Sequence, residues 1–272
     1  ILAGGDSSKL QELTYRRAVA AMPIAGSYRS IDFALSNMAN SHVNKVAVLT
    51  QYNSRSLNEH LNSSKWWDFG RKQGGLYVFP PTITKENEDW YRGTADAIYQ
   101  NLDFLKRCHE PYVIITSGDA VYKLDYSKVL EYHMDTKADI TVVCKEMEPD
   151  TDFSRFGTVK VDDEMRIVEF EEKTSSPDSY LISTGIYIIR RRMLIDLIEQ
   201  SAVEKKYDFV RDILIRYKNL KRICAYKIDD YWCNIATVDA YYQTNMDFLK
   251  PEVRKYFWHE YPAVYSKVTD LP

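Results

Sequence analysis

At 272 residues, 45% hydrophobic and 28% charged, the chain is long enough for one large α/β domain or two small ones with a sizeable core. A net charge of −3 excludes an electrostatic nucleic-acid binder, and the composition excludes global disorder. No apolar run reaches the length of a membrane-spanning helix, so no membrane partner is expected.

The chain opens within a strand at Ile1–Leu2, with neither a methionine nor a cationic leader. No signal peptide is therefore expected, and the sequence reads as a segment of a longer, cytoplasmic protein. Leu2-Ala3-Gly4-Gly5 is a strand running into a small-residue turn, able to present backbone N–H groups to a phosphate. A helix follows at Ile31–Asn40, a buried-type strand within Val43–Tyr52, and helices at Ser54–Leu61 and Gly93–Arg107. The strand Tyr112–Ser117 ends in Gly118–Asp119 and leads to a helix at Tyr126–Lys137 and a strand at Ala138–Lys145. Gly157–Val161 and Arg166–Glu171 flank Asp162-Asp163-Glu164 as a hairpin, followed by the strand Thr184–Ile189. Helices at Arg192–Ser201 and Asp208–Tyr217 and a strand at Ile223–Ile228 complete the pattern. Alternating strands and helices predict an α/β fold with a mostly parallel sheet and helices on both faces. Ligands would sit at the carboxyl ends of the strands. One domain is expected over residues 1–250. Pro251–Pro272, rich in aromatics and proline, reads as an extended connector. The four cysteines and five histidines are scattered without metal-ligand spacing, so none is assigned chemistry.

Several longer blocks carry a resemblance. They are Tyr28–Asn37 (YRSIDFALSN), Thr50-Gln51-Tyr52, Trp90–Ala97 (WYRGTADA), Ser117–Tyr126, Arg155-Phe156-Gly157, Glu169–Lys173, Ser183–Tyr187 and Tyr231–Thr237. In order and spacing they resemble the motifs of bacterial glucose-1-phosphate adenylyltransferases, the ADP-glucose pyrophosphorylases. That resemblance implies a sugar-phosphate nucleotidyltransferase fold, a Rossmann-like α/β domain with a mixed sheet. It also implies a reaction in which glucose 1-phosphate attacks the α-phosphorus of ATP and pyrophosphate leaves, with Mg²⁺ and cationic side chains neutralising charge. It assigns Tyr91, Gly157, Glu172, Lys173 and Ser183 to glucose 1-phosphate. Lys173 suits a phosphate as a point charge, and Glu172 can accept from sugar hydroxyls. Leu2, Ala3, Gly4, Gly5, Gln51, Gly93, Thr94, Ser117 and Gly118 fall to the nucleotide. Gln51 has an amide able to read a base edge, and Gly93–Thr94 would let a base approach the backbone. Asp119 matches a metal-binding aspartate.

The sequence departs from the family where charge is handled. The first loop pattern, Gly-Gly-x-Gly-[Ser/Thr]-Arg-Leu, has Ser7 for its third glycine and Lys9 for its arginine. Lys9 keeps a charge but loses the bidentate fork. The lysine of Lys-Arg-Ala-Lys-Pro is Val19, the histidine of Ser-Gly-Asp-His is Ala120, and the second metal aspartate is Asn234. A neutral amide is a poor ligand for Mg²⁺. Losses clustered on the phosphate and metal machinery suggest a regulatory, catalytically impaired subunit working with a catalytic paralogue in a homo- or hetero-tetramer. A fully active enzyme with a divergent site, and a sugar-phosphate or nucleotide sensor without a partner, are the alternatives. In this family the catalytic-type domain is followed by a left-handed β-helix, absent here, toward which residues 251–272 would lead.

Overall fold

The computed structural model describes residues 1–5, 8–70, 74–82 and 90–267. They fall into two compact units. Unit 1 comprises Ile1–Pro80, Ser117–Tyr126 and Asp230–Pro272, and unit 2 comprises Pro81–Thr116 and Ser127–Asp229.

Unit 1 is built on a three-stranded parallel sheet with Lys45–Thr50 between Leu2–Ala3 and Gly75–Phe79. The central strand buries Val46, Val48, Leu49 and Thr50, the near-continuous burial typical of parallel strands. The helix Ser30–Asn40 starts one residue before its predicted position and is buried on every side over residues 30–38, not along one stripe. Its polar residues are therefore all partnered. Asn37, for example, donates to Tyr122 O at 3.2 Å and accepts from Leu124 N at 3.1 Å. Ala120–Tyr122 pairs antiparallel with Trp232–Asn234, a short ribbon that turn-like sequence did not announce.

The C-terminal part corrects the expected extended connector. Pro251–Arg254 is helical and continues through Lys255–His259. Phe257 is fully buried with its ring edge-on to Phe33 at 5.4 Å and to Tyr231 at 5.5 Å. Lys123 Nζ donates to the carbonyls of Tyr256 and Glu260, at 2.5 and 2.8 Å, and so satisfies groups at the end of that helix. Among the aromatics that resemble a linker in sequence, Phe257 is core, Tyr256 and Trp258 pack against it partly buried, and Tyr261 and Tyr265 are exposed. Phe257→Ala is thus expected to destabilise unit 1 by about 3–5 kcal/mol, read as a lower urea midpoint; a true connector residue would leave the midpoint unchanged.

Unit 2 holds a six-stranded sheet in the order Ile167–Glu172, Gly157–Val161, Leu181–Arg190, Ile140–Glu146, Ile223–Ile228, with Tyr112–Ile115 also on Leu181–Arg190. The hairpin of Gly157–Val161 and Ile167–Glu172 forms as predicted. Mixed strand directions were expected, but the predominance of parallel pairing is not found here. Only Ile223–Ile228 runs parallel to its neighbour, because the ten-residue strand Leu181–Arg190 returns antiparallel to Ile140–Glu146 and to Tyr112–Ile115. A bulge between Ser183 and Ile186 is centred on Gly185, whose φ of +77° suits glycine. The predicted Gly93–Arg107 helix is two, Thr94–Gln100 and Leu102–Arg107, broken at Asn101.

His133 is a buried residue of unit 2. Its Nδ1 lies 2.8 Å from Thr141 Oγ1, and its Nε2 has no partner. Burial, with Arg190 adding to it, pushes its pKa down to about 4. The unfolded chain binds this proton near the ordinary value of about 6.5. Stability from the neutral native ring is complete above that value and declines as pH falls from about 6.5 toward 4. His133→Gln should flatten that stretch of a pH–stability curve.

Candidate functional site

In unit 1 the residues assigned to the nucleotide are carried on three turns. Leu2 and Ala3 pair with Leu49 and Thr50, so the Gly4–Gly5 turn leaves the sheet beside Gln51. A Cβ on Gly4 would lie 2.8 Å from Gln51 Cβ and 3.3 Å from its backbone N. Glycine at position 4 is what lets the two candidate nucleotide residues lie together, and Gln51 is buried. Gly5 faces open space.

The second turn, Ser117-Gly118-Asp119, joins the sheet through a parallel bridge to Leu2, with Gly118 N donating to Leu2 O at 3.0 Å. The third turn is the short helical segment Val19–Ala21, and Gly118 packs on it, since its added Cβ would meet Ala20 Cβ at 3.0 Å. The Ser30 hydroxyl fastens both, donating to Gly118 O at 2.6 Å with Val19 O at 3.2 Å. Val19 itself lies in the apolar cluster of Leu10, Met22, Ile24 and Phe33. Position 19 therefore offers a methyl group to the core and no charge to a phosphate. Lys9 is exposed on the turn Ser8–Thr14. Ser7 lies outside the described residues.

Asp119 and Asn234 are brought together by the short ribbon. Asn234 pairs with Ala120, and Ile235 N donates to Asp119 O at 2.9 Å. Asp119 accepts a short hydrogen bond from Ser117 Oγ. Asn234 Oδ1 accepts from Ala236 N at 3.0 Å, so its best metal-binding atom already has a backbone donor. A divalent cation would find one carboxylate and one amide here, enough for a Mg²⁺ that takes its remaining ligands from water and substrate phosphates, but a weak set. Among the described residues the only group of three close acidic side chains is elsewhere: Glu169, Glu171 and Asp178, all exposed, in unit 2. Lys160 already sits there, 2.8 Å from Glu169 and 3.0 Å from Asp178.

In unit 2 three of the residues assigned to glucose 1-phosphate, Gly157, Glu172 and Lys173, lie at the hairpin. Glu172 is in register with Gly157, and a Cβ on Gly157 would meet Phe170 at 2.6 Å and Glu172 Oε2 at 2.9 Å. The missing side chain makes room for the carboxylate. Lys173, at φ +55°, donates its N–H to Phe156 O at 2.9 Å, and its Nζ is 3.7 Å from Glu172. Burial raises the Glu172 carboxyl above the usual range, while Lys173 pulls the other way. Ser183 Oγ lies 3.4 Å from the hydroxyl of the buried Tyr187, whose own pKa burial drives up. Asp208 and Arg211 add their fields at Glu172. Sequence reasoning gave no role to Tyr187, Asp208 or Arg211. Asp208 and Arg211 are remote from Glu172 in sequence, and the fold places them here.

Tyr91, assigned to glucose 1-phosphate, and Gly93 and Thr94, assigned to the nucleotide, belong to unit 2. The Tyr91 hydroxyl accepts from Asn101 at 3.0 Å. The space at Gly93 is taken by the Tyr207 carbonyl, 2.4 Å from where a Cβ would stand, and Thr94 Oγ1 accepts from Phe209 N at 2.9 Å. Close approach at Gly93 thus has a reason within the fold. Arg92 holds the same turn, hydrogen-bonded to the buried Asp96 at 2.8 Å and stacked 4.0 Å over Tyr207.

None of the four cysteines forms a disulfide. Among the described residues no helix is long and apolar enough to cross a membrane.

The chain is similar to known proteins along its whole length. The nucleotidyl transferase family model matches residues 1–251. The chain is 40% identical over 273 aligned residues to glucose-1-phosphate adenylyltransferase of Lachnospira eligens, covering 100% of this chain and 64% of that protein. Enzymes of the same name from Bacillus anthracis and Bacillus cereus strain Q1 are 43% identical over 255 residues, covering 93% of this chain and 68% of theirs. The chain spans about two thirds of the length of these curated relatives.

Proposed function

Because the chain belongs to the nucleotidyl transferase family, and within it to the glucose-1-phosphate adenylyltransferases, we propose that it is a subunit that binds glucose 1-phosphate but has impaired adenylyl transfer. The observation that carries this reading is a contrast within one chain. Gly157, Glu172 and Lys173 lie together on the hairpin, whereas Val19 is absorbed into the core and the Asn234 amide oxygen already accepts from Ala236 N.

In the reaction of the family, an oxygen of the sugar phosphate forms a bond to the α-phosphorus of ATP as the bond to pyrophosphate breaks. Lys173 supplies positive charge to the sugar phosphate, and Glu172 accepts from sugar hydroxyls. Gln51 and the Gly4 turn receive the adenine nucleotide. Mg²⁺, when bound, neutralises charge developing on the phosphates, and Asp119 with Asn234 would hold it. With valine at position 19 and an amide at 234, two electrostatic contributions to that step are reduced. Such a chain serves a cytoplasmic, tetrameric enzyme best as a ligand-binding regulatory partner of an active paralogue.

Calorimetric titration of the full-length protein with glucose 1-phosphate, together with co-purification of a second, paralogous chain from its host, tests this reading. Binding with a co-purifying paralogue supports it; absence of both would overturn it. A second reading, an active enzyme with a divergent site, draws on the retained Asp119 and Lys173.

A further inference from the structure

Unit 1 contains a chain of partly buried polar contacts that the candidate site does not use. It begins at the segment 263–267, which lies along the helix Ser30–Asn40. Asn40 Nδ2 donates to Ala263 O at 2.8 Å. Tyr265 N donates to Ser36 Oγ at 2.8 Å, and Tyr265 O accepts from Trp67 Nε1 at 3.2 Å. Ser266 Oγ then donates to Asp32 Oδ2 at 2.6 Å. Asp32 is fully buried. The same Oδ2 accepts from Arg29 N at 2.7 Å, and Oδ1 lies 2.6 Å from His60 Nε2. His60 in turn stacks edge-on to Trp67 at 5.7 Å. A buried carboxylate persists only where donors replace its water, and here three groups supply them.

What Asp32 holds is the first turn of the helix. By accepting from Arg29 N it fixes the backbone entering Ser30, whose N–H donates to Met22 O at 3.1 Å. The Ser30 hydroxyl is the fastener shared by the Gly118 and Val19 carbonyls. Three residues, Asp32, Arg29 and Ser30, therefore link Ser266 to both nucleotide-side turns, through hydrogen bonds and the one peptide bond between Arg29 and Ser30, all within unit 1.

We propose that Asp32 is a positioning residue which couples docking of Ser266 to the order of the turns Val19–Met22 and Ser117–Asp119. Its consequence for ligands rests on the nucleotide reading above. Whatever pulls segment 263–267 away from the helix loosens these turns and weakens nucleotide binding. By reciprocity, nucleotide binding tightens the segment by the same factor.

Amide hydrogen exchange on Ser266→Ala tests this, with Ser266→Thr as the variant that keeps the hydroxyl. The expected result is about tenfold faster exchange at Met22, Ser30 and Gly118 in the alanine variant, a change on the scale of known site couplings, and restored protection in the threonine variant. The strand amides of Lys45–Thr50 should be unchanged. With Mg²⁺ and ATP, the Tyr265 amide of the unaltered protein should exchange more slowly. Unchanged exchange at the three turn amides would overturn the proposal. So would equally faster exchange across the Lys45–Thr50 strand, which would make Ser266 a contributor to global stability alone. If the turns respond but the unaltered protein binds neither ATP nor glucose 1-phosphate, the coupling stands and the functional reading fails.

Discussion

Asn234→Asp should raise pyrophosphate release from ATP and glucose 1-phosphate by about 10²-fold or more, the scale on which a single preorganised electrostatic group acts. The substitution is nearly isosteric. An aspartate oxygen can still accept from Ala236 N while its second oxygen adds a negative charge to the ribbon that carries Asp119, held by the Asn234–Ala120 pairing and the Ile235 N–Asp119 O bond. A second carboxylate gives Mg²⁺ the charged ligand pair it prefers. Val19→Lys is the companion reversal, but it carries a structural cost. The position is packed among Leu10, Met22, Ile24 and Phe33, so a lysine must run its stem along that cluster to bring its ammonium out. The double variant should exceed the single one without the two gains multiplying. Steady-state pyrophosphate release checks both. No gain in either variant would favour the active-enzyme reading, in which position 234 is a tolerated substitution.

The second large effect is expected on the sugar-phosphate side. Lys173→Ala should weaken glucose 1-phosphate binding by roughly 10²-fold, and more than Glu172→Gln, because a charge-assisted phosphate contact is stronger than a hydroxyl contact. Titration calorimetry reads both. Glu172 also sets a pH dependence with a definite sign. Burial raises its folded pKa, so as pH rises the unfolded chain loses this proton first and ionisation costs the native state stability. Sugar hydroxyls that donate to the carboxylate offset that cost. Affinity should therefore fall as the solution is acidified from neutrality, and the fall should be smaller in Glu172→Gln, where only the sugar phosphate's own protonation at about pH 6 remains.

Much of this was legible in the sequence because it depends on local pattern. The apolar strand ending at Thr50-Gln51, the hairpin around Asp162–Glu164 and the glycines of the first turn declare themselves through run length and turn chemistry. What was not legible depends on long-range pairing. The run Thr184–Ile189 looks the same whether its neighbours are parallel or antiparallel, and only the bulge at Gly185 hints at its course. The aromatics of 251–267 read as a connector because nothing nearby shows that Phe33, Phe248 and Tyr231 await Phe257. Gly4 and Gly93 were picked out for ligand approach. In the fold each also answers to a protein neighbour, Gln51 for one and the Tyr207 carbonyl for the other. Val19 was recognised as a missing charge, but its membership of the core emerged only from packing. Asp208 and Arg211 reach Glu172 across more than a helix of intervening chain.

The most direct test of the central claim is pyrophosphate release by the full-length protein alone, with Mg²⁺, ATP and glucose 1-phosphate, run beside a thermal shift with glucose 1-phosphate. The account predicts a thermal shift with little or no turnover. Turnover at the rates of about 1–10³ s⁻¹ common among enzymes would contradict it, and would mean that Val19 and Asn234 are compatible with full catalysis.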